Sequence, residues 1–106
     1  MTNKKLSKEL DKFLMALSKI GVNTKVTAEM SGVSIHSLSN WRQGKSSPNQ
    51  SNLIKLRDYS LSLLSIHGLQ SEVRECAVSF FREAEITLRD MPRIGEKEKK
   101  ILSDNN

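Results

Sequence analysis

Apolar residues recur every three or four positions along most of this chain, and no useful length of it alternates apolar and polar residues as a strand would. Such spacing places the apolar side chains on one face of a helix, which must then be covered by another element. A chain of 106 residues is long enough for one domain with a modest core. We therefore expect an all-α fold, a compact bundle of about five helices.

Capping residues and helix breakers set the expected boundaries of these helices. Asn23 and Ser34 are suited to cap the amino ends of helices 2 and 3, while Gly21, Gly44 and Pro92 end helices 1, 3 and 5. The predicted helices span residues 5–20, 24–30, 35–43, 51–66 and 71–91. The charged tail at 93–106 is expected to be mobile.

The segment from Ala28 to Trp41 has the composition of a helix-turn-helix. Two helices that cross steeply need a small residue where their backbones meet, a residue that tolerates positive φ in the turn, and apolar anchors. Ala28 is the small residue and Gly32 supplies the turn. Val33, Leu38 and Trp41 are the anchors.

At these residues the chain resembles the lambda-repressor-like helix-turn-helix family, also called the Cro or xenobiotic-response-element type. The similarity covers about residues 6–66, and its specific parts are Thr27-Ala28, Gly32-Val33-Ser34, Leu38-Ser39-x-Trp41 and Gly44-Lys45-x-x-Pro48. The family usually has Leu before that alanine and Gln early in helix 2, where this chain has Thr27 and Thr24. The resemblance implies a helical bundle that places its third helix in the DNA major groove, usually as a dimer on a palindromic operator.

Helical geometry then assigns faces to helices 2 and 3. The spacing of Val26 and Met30 predicts that both turn inward, and Leu38 and Trp41 do the same in helix 3. The outward positions of helix 3 and its surroundings are expected to contact double-stranded DNA. The residues predicted to read bases are Ile35, His36, Ser39 and Asn40. The residues predicted to bind phosphates are Thr24, Lys25, Ser34, Ser37, Arg42, Gln43 and Lys45.

The charge is distributed unevenly along the chain. Residues 1–60 carry ten Lys and Arg against four Asp and Glu, a balance of +6, whereas residues 61–106 carry seven against eight, a balance of −1. Lys and Arg raise affinity for polyanions by releasing counterions. The asymmetry favours a polyanion-binding module at residues 1–68.

Helix 5 carries a heptad-like apolar stripe beyond the length that such a domain needs. We expect this segment, residues 69–92, to mediate homodimerisation. The predicted dimer interface consists of Val73, Ala77, Phe80, Phe81, Ala84 and Leu88. The alternative is that helix 5 folds back and completes the core of a single chain.

Several other classes of protein lack support in the sequence. No apolar run approaches the roughly 18–20 residues needed to cross a bilayer, and the amino end lacks the apolar region of a signal peptide, so we expect a cytoplasmic protein. Cys76 is the only cysteine and has no partner for a disulfide. We find no nucleophile elbow, ordered triad or Gly-rich phosphate loop. We expect no enzyme activity, metal, cofactor or small-molecule ligand.

The expected function is that of a sequence-specific DNA-binding transcription regulator, such as the repressor of a phage or other mobile element. The alternative is a protein-interaction module, such as an antitoxin, that uses the helix-turn-helix scaffold and helix 5 to bind a protein partner.

Overall fold

Residues 3–91, the part that the computed structural model describes, form five α-helices and no strand. The helices are α1 (Lys4–Lys19), α2 (Thr24–Ser31), α3 (Ile35–Arg42), α4 (Gln50–Leu64) and α5 (Ser71–Asp90). Each boundary lies within two residues of the predicted one, and the all-α prediction is confirmed. Pro92 and the predicted mobile tail at 93–106 lie outside the described residues.

The helices begin where the sequence offers a capping side chain. Each cap accepts a hydrogen bond from the backbone N–H three residues further on, which satisfies one of the unpaired donors of the first turn. The five capping residues are Asn3, Asn23, Ser34, Asn49 and Gln70. The predicted caps of α2 and α3 are confirmed.

The core forms where α5 packs against both α1 and α4. Phe13 of α1 and Phe80 of α5 stack with ring centroids 5.5 Å apart, and the Tyr59 ring of α4 lies 6.2 Å from Phe13. Leu38 of α3 and Leu53 of α4 are completely buried in the same cluster. The helices therefore share one core.

No described helix has the length and apolar character to cross a bilayer.

The predicted dimer interface on helix 5 is wrong for four of its six residues. Val73, Ala77, Phe80 and Ala84 have no exposed surface, because α1 and α4 of the same chain cover them. Leu88 is partly buried against this core, and Phe81 is half-buried. The stripe does need a covering surface, as expected, but the single chain supplies it. Helix 5 thus completes the core of residues 3–91 instead of forming a separate element at 69–92.

The predicted inner face of α2 is also wrong. Val26 is 39% exposed and Met30 is 70% exposed, while Thr27, Ala28 and Ser31 are buried. The two faces are neighbours on one helix, and α3 and α4 pack on the one with small side chains. Because α3 and α4 approach α2 closely, the buried residues of α2 are the small ones and not the more apolar ones.

We predict that Phe80→Ala lowers the free energy of unfolding by about 3–5 kcal/mol, because it leaves a cavity beside Phe13 in the centre of the core. Urea denaturation measures this change. Val78→Ala, at a half-buried position of the same helix, is the control and should lower it by less than about 1 kcal/mol. A Phe80→Ala variant that keeps its stability and instead dissociates a dimer would restore the original interface prediction.

We predict that Thr27→Val raises the free energy of unfolding by about 1 kcal/mol. Thr27 is completely buried, and its hydroxyl has no hydrogen-bond partner among residues 3–91. The nearby Tyr59 hydroxyl does not meet hydrogen-bond geometry with it, so a methyl group of the same shape removes an unpaired polar atom.

Thr87→Val provides the matched control for Thr27→Val. The Thr87 hydroxyl donates to the Glu83 carbonyl at 2.8 Å and accepts from the Asn3 side chain at 3.1 Å. Its loss should lower the free energy of unfolding by about 1 kcal/mol. Equal destabilisation by both substitutions would mean that Thr27 is hydrogen-bonded in solution.

Candidate nucleic-acid interface

Gly32 makes the sharp turn between α2 and α3. Its φ of 83° lies in the left-handed region that favours glycine, and its N–H donates to the Ala28 carbonyl at 3.0 Å. Ser34 then opens α3, and its hydroxyl accepts from the Ser37 N–H at 3.0 Å. The predicted glycine turn is confirmed, and α3 begins at Ile35, three residues after Gly32.

One face of helix α3 is buried against the core, and the opposite face, the open face, lies at the surface. Leu38 and Trp41 are buried in the core. The positions predicted to point outward all lie at the surface, with Ile35, His36 and Gln43 exposed and Ser39 and Asn40 half-buried. Within the described residues the side chains of His36 and Asn40 form no hydrogen bond, so their donors and acceptors are available to a ligand.

The serine and glutamine side chains around this face bond to one another. The Gln43 amide donates to the Ser39 hydroxyl at 3.0 Å, and the Ser34 hydroxyl donates to the Ser37 hydroxyl at 2.8 Å. Ser39 and Ser37 act as acceptors in these pairs, so each keeps its own hydroxyl proton for another partner. Ser34 uses both its proton and an acceptor site inside the chain, which leaves it less suited than Ser37 to bind a phosphate.

Arg42 has a structural role that the sequence analysis did not include. Its Nε donates to Asp11 Oδ1 at 2.7 Å, and its Nη1 donates to the Thr24 hydroxyl at 3.2 Å. These contacts join α1, α2 and α3. The Arg42 side chain is only 23% exposed, and among the described residues its Nη2 group has no partner. The two Nη2 donors and the second Nη1 donor remain available for the predicted phosphate contact.

The first two turns of α1 also adjoin the end of α3, which the sequence analysis missed. The Ser7 hydroxyl donates to the Trp41 carbonyl at 2.7 Å, and the backbone N–H of Asn3 donates to the Ser47 hydroxyl at 3.0 Å. A signal for this contact exists in the sequence. Polar residues recur at 3, 7 and 11, one helical turn apart, beside the apolar stripe of α1.

The stretch of sequence that contains α3 carries basic residues and no carboxylate of its own, and Asp11 of α1 reaches it through its pair with Arg42. No Asp or Glu occurs between residues 30 and 57, whereas Lys45 and Lys55 in that stretch are exposed. Helices α1 to α4 have uncharged capping residues and no acidic residue in the first turn. The partial positive charges at the amino ends of α2 and α3 are therefore not compensated locally, and such ends attract anions.

Residues 3–91 give little support for a metal site or for a reactive thiol. No group of three His, Cys, Asp or Glu side chains is placed to hold a metal ion in this range. Burial raises the pKa of the Cys76 thiol, and the carboxylates of Glu72, Glu9 and Glu75 raise it further. The thiol therefore stays protonated at neutral pH, which makes it a weak nucleophile.

The three best-defined surface depressions of the described residues are not lined by α3. The outer face of α3 carries polar side chains around the exposed Ile35.

Comparisons of the chain with protein-family models, with curated proteins and with solved structures found no match.

Proposed function

We propose that the protein is a sequence-specific double-stranded DNA-binding transcription regulator that inserts the outer face of α3 into the major groove. The observation that carries the proposal is the difference between the buried inner face and the exposed outer face of α3. Its inner face is anchored in the core, while its outer face presents unpaired hydrogen-bonding groups within residues 30–57, a stretch of sequence without Asp or Glu. A groove lined with base edges and flanked by phosphates matches both properties.

In this proposal, base reading falls to the middle of the exposed face. Asn40 can form a bidentate pair with adenine, and a neutral His36 can donate to or accept from a base edge. Ser39 can donate its remaining proton, and Ile35 can pack on a thymine methyl group. These side chains lie on one surface of α3, so they can address neighbouring base pairs together.

Phosphate contacts surround the base-reading residues. Lys25 and Lys45 are exposed on either side of α3 in sequence, and Gln43 and Ser37 are close to its two ends. The hydroxyl of Thr24 accepts from Arg42 and still has a proton to donate. Together with the amino ends of α2 and α3, these groups form a basic rim that orients the protein without reading sequence.

The biological setting that we propose is repression by occupation of an operator, as in a phage or another mobile element, which acts on DNA in the cytoplasm. The family resemblance favours a palindromic operator and a homodimer, with an interface other than the buried stripe of α5. A protein-interaction module has less support, because the stripe that would bind its partner is covered within the chain.

Selection of bound sequences from random duplex DNA tests the proposal. A regulator of this kind should enrich a short defined site, and its affinity should fall steeply with salt. A protein without sequence preference for duplex DNA would contradict the proposal. An inverted repeat in the enriched site would support two-fold symmetry.

We predict that the variant His36→Ala/Asn40→Ala loses discrimination between the selected site and random duplex by about 1–3 kcal/mol for each base contact removed. Its affinity for random duplex should stay the same, because phosphate contacts are unchanged. Fluorescence anisotropy with both duplexes measures the difference. His67→Ala removes the chain's other histidine, which is exposed beyond the end of α4, and should change neither affinity. Full discrimination by the double variant would make the base-reading assignment wrong.

We predict that Lys45→Ala weakens binding to every duplex alike and reduces the slope of log affinity against log salt by about 0.9 for each bound subunit, the value for one phosphate contact. Lys12→Ala makes the same change in charge on an exposed position of α1 close to Cys76 of α5. It should leave the slope unchanged. If the two variants have the same slope, Lys45 contributes only to the general charge of the protein.

A further inference from the structure

We propose that Lys4 and Lys8 on the first turns of α1 form a second phosphate-binding edge, which extends the DNA-binding surface beyond the helix-turn-helix. The inference rests on the proposed function, since it takes the same duplex as its ligand. It adds a contact with the sugar-phosphate backbone outside the base pairs that α3 reads.

The start of α1 is fixed against the end of α3 and the loop that follows. The Ser7 hydroxyl lies 2.7 Å from the Trp41 carbonyl oxygen and 3.2 Å from that of Arg42. The backbone N–H of Asn3 donates to Ser47, and the Asn3 side chain donates to Thr87 of α5. These bonds tie the first turns of α1 to both neighbours, so any group they carry has a defined position relative to α3.

Lys4 and Lys8 lie beside Ser7 on the side of α1 that faces away from the core. Successive residues of a helix are about 100° apart, which places positions 4 and 8 about 60° and 100° from Ser7. Leu6 and Leu10 lie on the opposite side of Ser7 and are buried. Lys4 and Lys8 are both exposed.

Ion pairing separates these two lysines from Lys5 and Lys19 of α1, and Lys12, which is also unpaired within the described residues, lies one turn further from Ser7 and close to Cys76 of α5. Lys5 lies 3.5 Å from the Glu83 carboxylate and Lys19 lies 2.9 Å from that of Glu72, both on α5. Among the described residues, neither Lys4 nor Lys8 is within ion-pair distance of a carboxylate. The Asp11 carboxylate lies on the side of α1 that adjoins α3 and pairs with Arg42. Lys4 and Lys8 remain unpaired on that side, while Lys5 and Lys19 are paired with carboxylates of α5.

The spacing of the two lysines suits a phosphate backbone. Four residues of helix rise about 6 Å, and phosphates of one DNA strand follow each other at about 3.4 Å along the duplex axis. Long, flexible lysine side chains can adjust to this difference. Because phosphates are the same at every base pair, the contact raises affinity without adding sequence preference.

The experiment compares Lys4→Ala/Lys8→Ala with wild-type protein on the selected site and on random duplex of equal length. The variant should reduce the slope of log affinity against log salt by about 1.8 for each bound subunit, from two contacts at about 0.9 each. At about 0.15 M salt this corresponds to a loss of about thirtyfold for each bound subunit on both duplexes, with the ratio between them unchanged.

The matched control is Lys12→Ala/Arg82→Ala, which removes the same charge from exposed positions on α1 and α5. Lys12 lies close to Cys76 of α5, and Arg82 lies on α5 itself. The control should keep the wild-type slope. Thermal unfolding monitored by circular dichroism establishes that both variants are folded, since all four side chains are exposed.

Three outcomes overturn the inference, and the first two leave the proposed function untouched. A Lys4/Lys8 variant with the wild-type slope, tested on a wild-type protein that selects a site, rejects the edge and leaves the function standing. Equal slope losses in the variant and the control would mean that the slope depends on the net charge of the protein and not on a contact at Lys4 and Lys8. A wild-type protein without salt-dependent duplex binding rejects the function, and the edge with it.

Discussion

The anchoring of α3 by Leu38 and Trp41 is the contact on which the surface of this molecule depends. Both side chains are buried in the core, and the left-handed turn at Gly32 lets α3 leave the direction of α2. A helix of eight residues would not be stable alone in water. Packing on one side therefore holds the helix, and its other side is left open to a partner.

The stable part of the fold lies on the opposite side from this open face. The stacked rings of Phe13 and Phe80 join α1 to α5, and α5 also packs on α4. This arrangement uses the apolar stripe of α5 inside one chain. It also holds the first turns of α1, which contact the end of α3 through Ser7. Helix α5 therefore supports the α3 surface indirectly, without contributing side chains to it.

Local signals in the sequence predicted the helices and the turn. Caps such as Asn23 and Ser34 act within three residues of themselves, and Gly32 marks its own backbone conformation, so both can be read from neighbouring residues. The packing of one helix against another was harder to predict. An apolar stripe such as that of α5 must be buried, but the pattern does not show whether the same chain or a second copy buries it. The polar Thr27 is buried in α2 because α3 and α4 approach closely there, which is a property of packing and not of hydrophobicity.

The same distinction applies to the candidate interface. The outward positions of α3 follow from helical geometry once Leu38 and Trp41 are placed inside. The bonds of Arg42 to Asp11 and Thr24 join residues far apart in the sequence, so local patterns could not predict that two of its five N–H donors are occupied within the chain. The contribution of α1 depends on similar long-range contacts.

The central claim is that the open face of α3 is the surface that meets DNA. The most direct test is to map backbone amide chemical shifts by nuclear magnetic resonance while the selected duplex is added. If the open face of α3 meets DNA, the largest changes should fall on residues 34–45 and on the first turns of α1 and α2, with small changes along α5. Changes concentrated on α4 and α5, with α3 unaffected, would contradict it.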